Sequence, residues 1–388
     1  MFEDVSHHFI SPAKIIFGMG TAKKVRDEVK RLGGEKVFVV TDPLLLKENV
    51  INPVIESLKK GGIPYAIYDG VEPDPPTELV DEATDAYTKE GCNLVVGIGG
   101  ASSLDVAKGV SMTAANEGNC LDICGYERAK NKGVPKILLS TTHTAGGDLS
   151  PYVVLHRSKK DPRVKYLISE FAVPDVAIVD PLLTVSMPPG VTVDTGLDAL
   201  TTAIEAYVST KANPFSDLFA ERAIELGTQY LPMAWARGSN LTARYYMCLT
   251  ATYAGLAFVS SSVGSVHGLS YAIAQAYHLT HGRALGLLLP HVMRYSLAGH
   301  PEKYARVSTL MGKDIQGLSL IQAAALSVEA TEEILDATTV SYRLREYGAK
   351  EEELSDLAKV SAKTAAAYPE NPKDINEEDI FAIYQAAY

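Results

Sequence analysis

The segment DALTTAIEAY (198–207) carries two polar side chains four residues apart, Asp198 and Thr202. Its neighbours are Ala, Leu and Ile, so the segment is predicted to be helical, and side chains with this spacing share one helix face. Metal sites on helices often use this spacing with histidine in the second place, because imidazole binds divalent metals well and a threonine hydroxyl binds them poorly. The segment therefore indicates either a metal site with one ligand replaced or no metal site.

Histidines that could complete such a site lie about 70 residues further along the chain. We expect His267 to begin an apolar helix and His281 to end one. Two imidazoles with the carboxylate of Asp198 would suit a divalent cation that keeps an open position for a substrate oxygen. However, ligands from distant segments give no spacing signal, and an isolated histidine is more often a core or capping residue. The same stretch also contains two further histidines, His278 and His291.

The segment GIGGASSLDVAKG (97–109) follows a predicted strand and begins a predicted helix; we call residues 97–103 the glycine loop. Glycines let the backbone approach a phosphate closely, and the N–H groups at a helix N-terminus favour anions. Ser102 could add a hydroxyl donor. A tight turn needs glycine in any case, and the spacing is not the usual G-x-G-x-x-G with an acid about 20 residues later.

An acid that ends a strand, Asp42, instead precedes the glycine loop in the chain. If the two strands are neighbours, its carboxylate could bind both hydroxyls of an adenosine ribose and repel a 2′-phosphate, which favours NAD over NADP. Asp42 could equally cap a helix that begins at Pro43, and the two roles are compatible. In the later loop STTHTAGGDLSPY, Thr141 and Thr142 could donate to a cofactor, although this loop alone would be interpreted as a surface turn.

The chain changes character near residues 188–190. Before this Pro/Gly cluster, short β-branched runs alternate with helical stretches, which predicts a parallel sheet covered by helices on both faces. After it, helical periodicity dominates. We expect a Rossmann-like α/β domain over residues 1–185 and an all-helical domain over residues 186–388.

Composition excludes several functional classes. A net charge of −11 argues against nucleic acid or an anionic membrane as a partner. The sequence has no apolar run of the ~18 residues that a membrane-spanning helix needs, and its start does not read as a signal peptide, so a cytoplasmic location is expected. Four cysteines do not make a disulfide framework, and Cys120 and Cys124 are interpreted first as buried, reduced thiols.

Together these motifs resemble the iron-containing (group III) alcohol dehydrogenase family, nearly end to end, and its branch acting on short alcohols and diols, such as the 1,3-propanediol and lactaldehyde reductases. The matching segments, in order, include VTDPLL, GIGGASSLDVAK, STTHTAGGDLS, VDPLLT, GLDALTTAIEAYVS, VHGLSYAIAQAYHLTHG and LLLPHVMRY. The resemblance implies a dinucleotide-binding N-domain, a helical C-domain, and NAD(P) with a divalent metal, Fe²⁺ or Zn²⁺, in the cleft between them. It further implies a small alcohol or aldehyde substrate and a homodimer or larger homo-oligomer.

The resemblance also assigns roles to individual residues. It gives metal-ligand roles to Asp198, His267 and His281, with the two histidines at the catalytic centre, and Lys165 would reach the cofactor ribose. The remaining residues implied to bind the cofactor are Asp42, Gly99, Gly100, Ala101, Ser102, Ser103, Thr141 and Thr142.

Four positions depart from the family pattern. Thr202 replaces the fourth ligand, a histidine, and Tyr271 replaces a second histidine that the family places near the nicotinamide. Ala101 stands for the third glycine of the loop, and His143 stands where the family has a small residue.

These departures leave several functions open. The metal could remain on Asp198, His267 and His281, with water or His143 as the fourth ligand. Alternatively, the metal could be lost and Tyr271 or a histidine could polarise the carbonyl, as in maleylacetate reductases. Because three protein ligands are enough for a catalytic zinc or iron site, we favour the metal-assisted enzyme. A dehydroquinate synthase-like lyase is a further alternative, although Arg244, Arg283 and Arg294 are scattered for a phosphate site. A protein that only binds nucleotide ranks last.

Overall fold

The computed structural model describes residues 6–388, apart from the side chain of residue 162, and they form two compact units. Ile10–Ser186 form an α/β unit. Met187–Tyr388 form a helical unit, together with residues 6–9. The change of unit after Ser186 lies one residue beyond the expected boundary, whereas residues 6–9 were expected in the first domain.

The α/β unit is built on a six-stranded sheet in the order β1-β9-β6-β4-β2-β3, and every pairing in it is parallel. This confirms the predicted parallel sheet. A smaller sheet has the order β5-β8-β7. The elements of the unit are β1 (Ile15–Phe17), α1 (Val25–Arg31), β2 (Val37–Val40), α2 (Pro43–Lys47), α3 (Asn52–Lys60), β3 (Tyr65–Tyr68), α4 (Thr77–Lys89), β4 (Leu94–Gly99), α5 (Ala101–Thr113), α6 (Cys120–Ile123), β5 (Gly125–Tyr126), β6 (Lys136–Ser140), β7 (Tyr152–Ser158), β8 (Asp161–Ile168) and β9 (Val176–Val179).

Helices cover the large sheet on both faces. Along β2, Phe38 and Val40 pack with residues of α4 and α5, whereas Val37 and Val39 pack with residues of α1 and α3. Alternate residues of a strand face opposite sides of the sheet, so β2, which is buried throughout, reads as a continuous apolar run. The carboxyl ends of β2, β4 and β6 lie side by side, and the residues that follow them form the loops of the candidate cofactor site.

The hairpin of β7 and β8 was not anticipated from the sequence. The two strands pair antiparallel, with Leu155 opposite Lys165. Charged residues in HRSKKDPRVK weaken the apolar signal that strand prediction depends on, and cross-strand pairing supplies the stability instead.

The helical unit confirms the all-helical expectation for the C-terminal half. Its helices are α7 (Pro189–Val208), α8 (Pro214–Ala236), α9 (Leu241–Ser260), α10 (Ser265–Tyr277), α11 (His281–Ser296), α12 (Pro301–Leu310), α13 (Leu320–Ala337), α14 (Leu354–Ala365) and α15 (Glu377–Ala387). In α7, Pro189 occupies the first helical position, where its missing N–H has no intrahelical role. Residues 192–193 and 196–208 of α7 are buried, so the helix runs through the core of the unit and carries Asp198 there.

No single helix among residues 6–388 is long and apolar enough to cross a bilayer. One pair, Leu241–Ser260 with Ser265–Tyr277, meets that test of length and composition only when taken together, and it is bent by 113°.

Candidate metal and cofactor sites

Three side chains from separate helices meet inside the helical unit: Asp198, His267 and His281. One ligand atom from each lies within 4.8 Å of the other two. We call these residues the triad. Asp198 and His267 are buried and His281 is partly exposed. Two imidazoles and one carboxylate are a typical donor set for a catalytic zinc or iron(II) ion.

His281 lies at the beginning of a helix, so the expectation that it ends one was wrong. The preceding helix α10 ends at Tyr277, because His278 adopts a left-handed conformation with φ of 52°. Thr280 then caps α11 by accepting a hydrogen bond from the backbone N–H of Arg283, and His281 is the first helical residue. The Leu-Thr segment between the two helices gave no glycine or proline signal that would have separated them.

The start of α11 is fixed against α7 by polar contacts. The carboxylate of Asp194 accepts hydrogen bonds from the hydroxyl of Thr280 and from Nε of Arg283, both at 2.7 Å. Gly282 allows this approach, because a Cβ at that position would lie 1.9 Å from the carbonyl oxygen of Asp194. These contacts hold the first turn of α11, which carries His281, and they were not predicted from the sequence.

The hydrogen bonds of His281 leave its Nε2 atom for a metal. The hydroxyl of Ser270 donates to the carbonyl oxygen of His267 at 2.8 Å, so its oxygen can accept from Nδ1 of His281 at 3.4 Å. Burial, and secondly the charge of neighbouring His267, lower the pKa of His281 from 6.5 to about 3. The imidazole is therefore neutral at neutral pH, which is the form that binds metals.

His267 is held by an acid that sequence reasoning missed, Glu205. The Nδ1 atom of His267 lies 2.5 Å from Oε2 of Glu205, and both side chains are buried. Glu205 follows Asp198 by seven residues on α7, so the two project from the same face. This spacing, inside the segment DALTTAIEAY itself, is the signal that could have identified it.

Thr202 lies beside the triad, next to Asp198. Its hydroxyl is 3.4 Å from Oδ1 of Asp198, and both residues are buried. This confirms the prediction that the two residues share a helix face. The hydroxyl is thus directed at the carboxylate of the triad.

Tyr271, the second departure, packs over the triad from α10. Its ring stacks on the ring of His281 with the centroids 5.1 Å apart, and its hydroxyl accepts a hydrogen bond from Tyr368 at 3.3 Å. The other two histidines of this stretch have different surroundings: His278 is exposed, and His291 is buried with Nε2 directed at the carbonyl oxygen of Tyr342.

In the α/β unit, the glycine loop requires glycine at position 99. Gly99 has φ of +155°, and a Cβ there would lie 2.5 Å from the hydroxyl of Ser103. Gly100 precedes α5, whose N-terminus includes Ala101 and Ser102. Because the first N–H groups of a helix have no intrahelical partners, this turn can bind a phosphate.

Three other predicted cofactor residues of this unit lie around the glycine loop. Asp42 follows β2, which pairs directly with β4, and its carboxylate caps α2 by accepting from the backbone N–H of Leu45 at 3.0 Å. Thr141 donates its backbone N–H to the carbonyl oxygen of Gly99 at 3.0 Å. A Cβ added to Gly100 would lie 3.5 Å from the methyl group of Thr142. The structure therefore brings Asp42, Thr141 and Thr142 to the carboxyl ends of the strands, where the glycine loop also lies.

Two further residues that were singled out from the sequence, Lys165 and His143, also lie in the α/β unit. Lys165 lies on β8 of the smaller sheet. A hydrogen bond from Cys120 is the main cause that lowers the pKa of Cys124, and the positive charge of Lys165 lowers it further. All four cysteines are buried, as expected. His143 is buried in the α/β unit, so its role as a fourth ligand for the triad stays a prediction.

Comparison with known proteins agrees with both halves of this description. The family described as iron-containing alcohol dehydrogenase matches residues 12–181, and its C-terminal counterpart matches residues 192–388. The chain is 35% identical to the 1,3-propanediol dehydrogenase of Klebsiella pneumoniae over 98% of both chains, and 35% identical to the NAD-dependent methanol dehydrogenase of Bacillus methanolicus over 99% of this chain and 100% of that one. A solved 1,3-propanediol oxidoreductase matches with a TM-score of 0.96 at 35% identity, covering 99% of this chain and 100% of that one. On this evidence, the chain belongs to the iron-containing alcohol dehydrogenase family.

Proposed function

We propose that this protein, an oxidoreductase that interconverts an alcohol and an aldehyde, works with NAD(H) and with a divalent metal held by Asp198, His267 and His281. The observation that carries the proposal is the convergence of these three ligand types within 4.8 Å. The donor set fits Fe²⁺ or Zn²⁺, and both histidines have hydrogen bonds at Nδ1 that leave Nε2 as the ligand atom.

The chain's own residues have distinct tasks in this reaction. A bound divalent metal polarises a carbonyl and stabilises negative charge on its oxygen, and NADH supplies the hydride. Asp198 contributes the only carboxylate of the triad, and the neutral ring of His281 binds without competition from a proton at neutral pH. The side chain of Tyr271 stacks on the ring of His281, so we assign its hydroxyl to proton delivery in this reaction.

The cofactor preference is proposed to be NAD(H) over NADP(H). The carboxylate of Asp42 stands beside the glycine loop, where it can bind ribose hydroxyls and repel a 2′-phosphate. The name of the NAD-dependent methanol dehydrogenase supports the same cofactor.

The substrate is proposed to be a small, polar aldehyde or the corresponding alcohol. The hydroxyl of Thr202 and the side chain of Tyr271 lie next to the triad, and polar groups of this kind favour a substrate that can form hydrogen bonds. A homo-oligomer and a cytoplasmic location are proposed from the resemblance and composition respectively.

The lyase alternative is not favoured by its arginines. Arg244 is buried and donates to Thr192, Met187 and Gly238. Arg283 is paired with Asp194, and Arg294 with Glu332. Each guanidinium thus has its own hydrogen-bond or ion-pair partner within the helical unit. The three arginines therefore do not indicate a common phosphate-binding site.

Steady-state oxidation of NADH with a panel of aldehydes tests the proposal. We expect sustained turnover, faster with hydroxyaldehydes than with plain alkyl aldehydes, lost on treatment with a chelator and restored by Fe²⁺ or Zn²⁺. Turnover that survives complete removal of metal would support the metal-independent reductase instead. Best turnover on alkyl aldehydes would contradict the proposed polar substrate.

A further inference from the structure

Glu205 connects the N-terminus of α10 to a predicted metal ligand. Its two carboxylate oxygens have different partners: Oε1 accepts the backbone N–H of Val266 at 2.6 Å, and Oε2 lies 2.5 Å from Nδ1 of His267. Gly264, which precedes α10, provides no side-chain cap. The carboxylate from α7 therefore caps α10 and contacts the third residue of that helix at the same time.

These contacts determine which nitrogen of His267 carries the hydrogen. The Val266 N–H can only donate, so Oε1 must accept. A carboxylate accepts at both oxygens, so Nδ1 of His267 is the donor to Oε2. A neutral ring protonated at Nδ1 has its lone pair on Nε2, and this is the nitrogen available to the triad.

We propose that Glu205 is the positioning residue of the metal site: its carboxylate fixes His267 in the Nδ1–H tautomer and so presents Nε2 to the metal. This inference rests on the proposed metal-dependent function. His281 has a weaker equivalent, since its Nδ1 lies 3.4 Å from a hydroxyl, that of Ser270, rather than 2.5 Å from a carboxylate. Partners of this kind commonly contribute 10- to 100-fold to metal affinity, a rough range.

The substitution Glu205→Gln separates positioning from capping. If the amide oxygen accepts from Val266, the amide NH₂ must face Nδ1 of His267. Nδ1 then has to accept, which moves the ring hydrogen to Nε2, where it competes with the metal. We expect Glu205→Gln to keep most of its thermal stability but to bind Zn²⁺ about 10- to 100-fold more weakly than the wild type.

Two further variants serve as independent checks. Gly264→Ala keeps the carboxylate of Glu205, but the new Cβ would lie 2.9 Å from its Oε1 atom and would displace it. We therefore expect a loss of Zn²⁺ affinity that is smaller than in Glu205→Gln. Asn240 belongs to the same unit and caps α9, because its side chain accepts a hydrogen bond from the backbone N–H of Ala243. Asn240→Ala removes this cap at a position that does not belong to the triad. It should lower the melting temperature and leave Zn²⁺ affinity unchanged.

The experiment combines Zn²⁺ titration against a competing chelator with ¹H–¹⁵N spectra of histidine side chains in metal-free protein. A wild-type Nδ1–H signal for His267 that is lost in Glu205→Gln, with weakened Zn²⁺ binding, would support the proposal. Wild-type affinity in Glu205→Gln, or an Nε2–H tautomer in the wild type, would overturn it. If the wild type binds no metal, the proposed metal site is wrong, and the tautomer alone decides the role of Glu205.

Discussion

The glycine loop of the α/β unit and the triad of the helical unit are assembled from the chain in different ways. The loop is one continuous segment whose partners follow strands adjacent to β4 in the sheet. The triad takes its ligands from α7, α10 and α11, and Asp194 and Glu205 on α7 fix the starts of the other two helices. Local backbone geometry therefore controls the loop, whereas helix packing and polar contacts between helices control the triad.

Because of this difference, we expect that a substitution can weaken metal binding without weakening NADH binding, and the reverse. The largest effect is expected for His281→Ala, which removes one of the three proposed metal ligands. We expect Zn²⁺ affinity to fall by at least about 100-fold, more than for a residue that only orients a ligand. NADH affinity should stay within about 2-fold, because the loop belongs to the other unit.

The exposed neighbour His278 provides a matched control. Zn²⁺ titration of His278→Asn, which tolerates the left-handed conformation at that position, should give the wild-type affinity. Equal losses in both histidine variants would indicate that the helix connection, and not the ligand, controls metal binding.

The reciprocal change is Gly99→Ala in the glycine loop. With φ of +155° and a Cβ 2.5 Å from the hydroxyl of Ser103, alanine must distort the turn. We expect NADH affinity, measured by fluorescence titration, to fall by about 10- to 100-fold while metal content is unchanged. Gly100→Ala, whose Cβ makes only an ordinary contact at 3.5 Å, should distort the turn less. Wild-type NADH binding by Gly99→Ala would refute a phosphate-binding role for this turn.

A smaller effect is expected at the edge of the loop, for Asp42→Asn. Asparagine can still accept from the N–H of Leu45, but it removes the charge that repels a 2′-phosphate. The ratio of kcat/KM with NADPH to that with NADH should rise by about 10-fold, with little change in unfolding. Asp42→Ala loses the cap as well and should cost about 1 kcal/mol of stability. An unchanged cofactor ratio in both variants would limit Asp42 to its capping role.

The smallest effect concerns the stability of the helical unit away from the triad. Burial, the largest cause, lowers the pKa of His291 from 6.5 to about 4. Well above pH 6.5 the ring is neutral in both the folded and the unfolded state. As the pH falls toward 4, the unfolded chain binds a proton before the folded one does, so the folded state loses stability.

Between pH 7 and pH 5.5, the wild type should therefore lose about 1 kcal/mol more of its unfolding free energy than His291→Gln. Urea denaturation at the two pH values measures this difference. A parallel pH dependence in the two proteins would show that His291 does not titrate differently on folding.

The same contrast explains how far the sequence could predict the molecule. Strand–helix alternation and the glycine loop were readable because their signals are local, and Asp42 could be proposed as both a cap and a cofactor ligand from its position after a strand. The hairpin of β7 and β8 and the start of α11 at His281 were not predicted, because cross-strand pairing and a threonine cap gave weak local signals.

Asp198, His267 and His281 could be proposed as one donor set from their residue types, but their wide separation in the chain gave no spacing signal, so the family resemblance was needed to favour a metal there. Glu205 had a local signal, seven residues after Asp198, but nothing in the sequence showed that His267 would lie beside it. Packing between distant segments determines that contact. For this reason His267 was predicted as a candidate ligand, whereas its partner Glu205 was not predicted.

The most direct test of the account is the metal content of protein purified without chelator and without oxygen, compared with that of Asp198→Ala. We predict about one equivalent of divalent metal in the wild type and almost none in the variant, since the carboxylate is one of the three proposed protein ligands. Wild-type protein that contains no metal and still oxidises NADH with an aldehyde would contradict the account, and Tyr271 would then be the first residue to change.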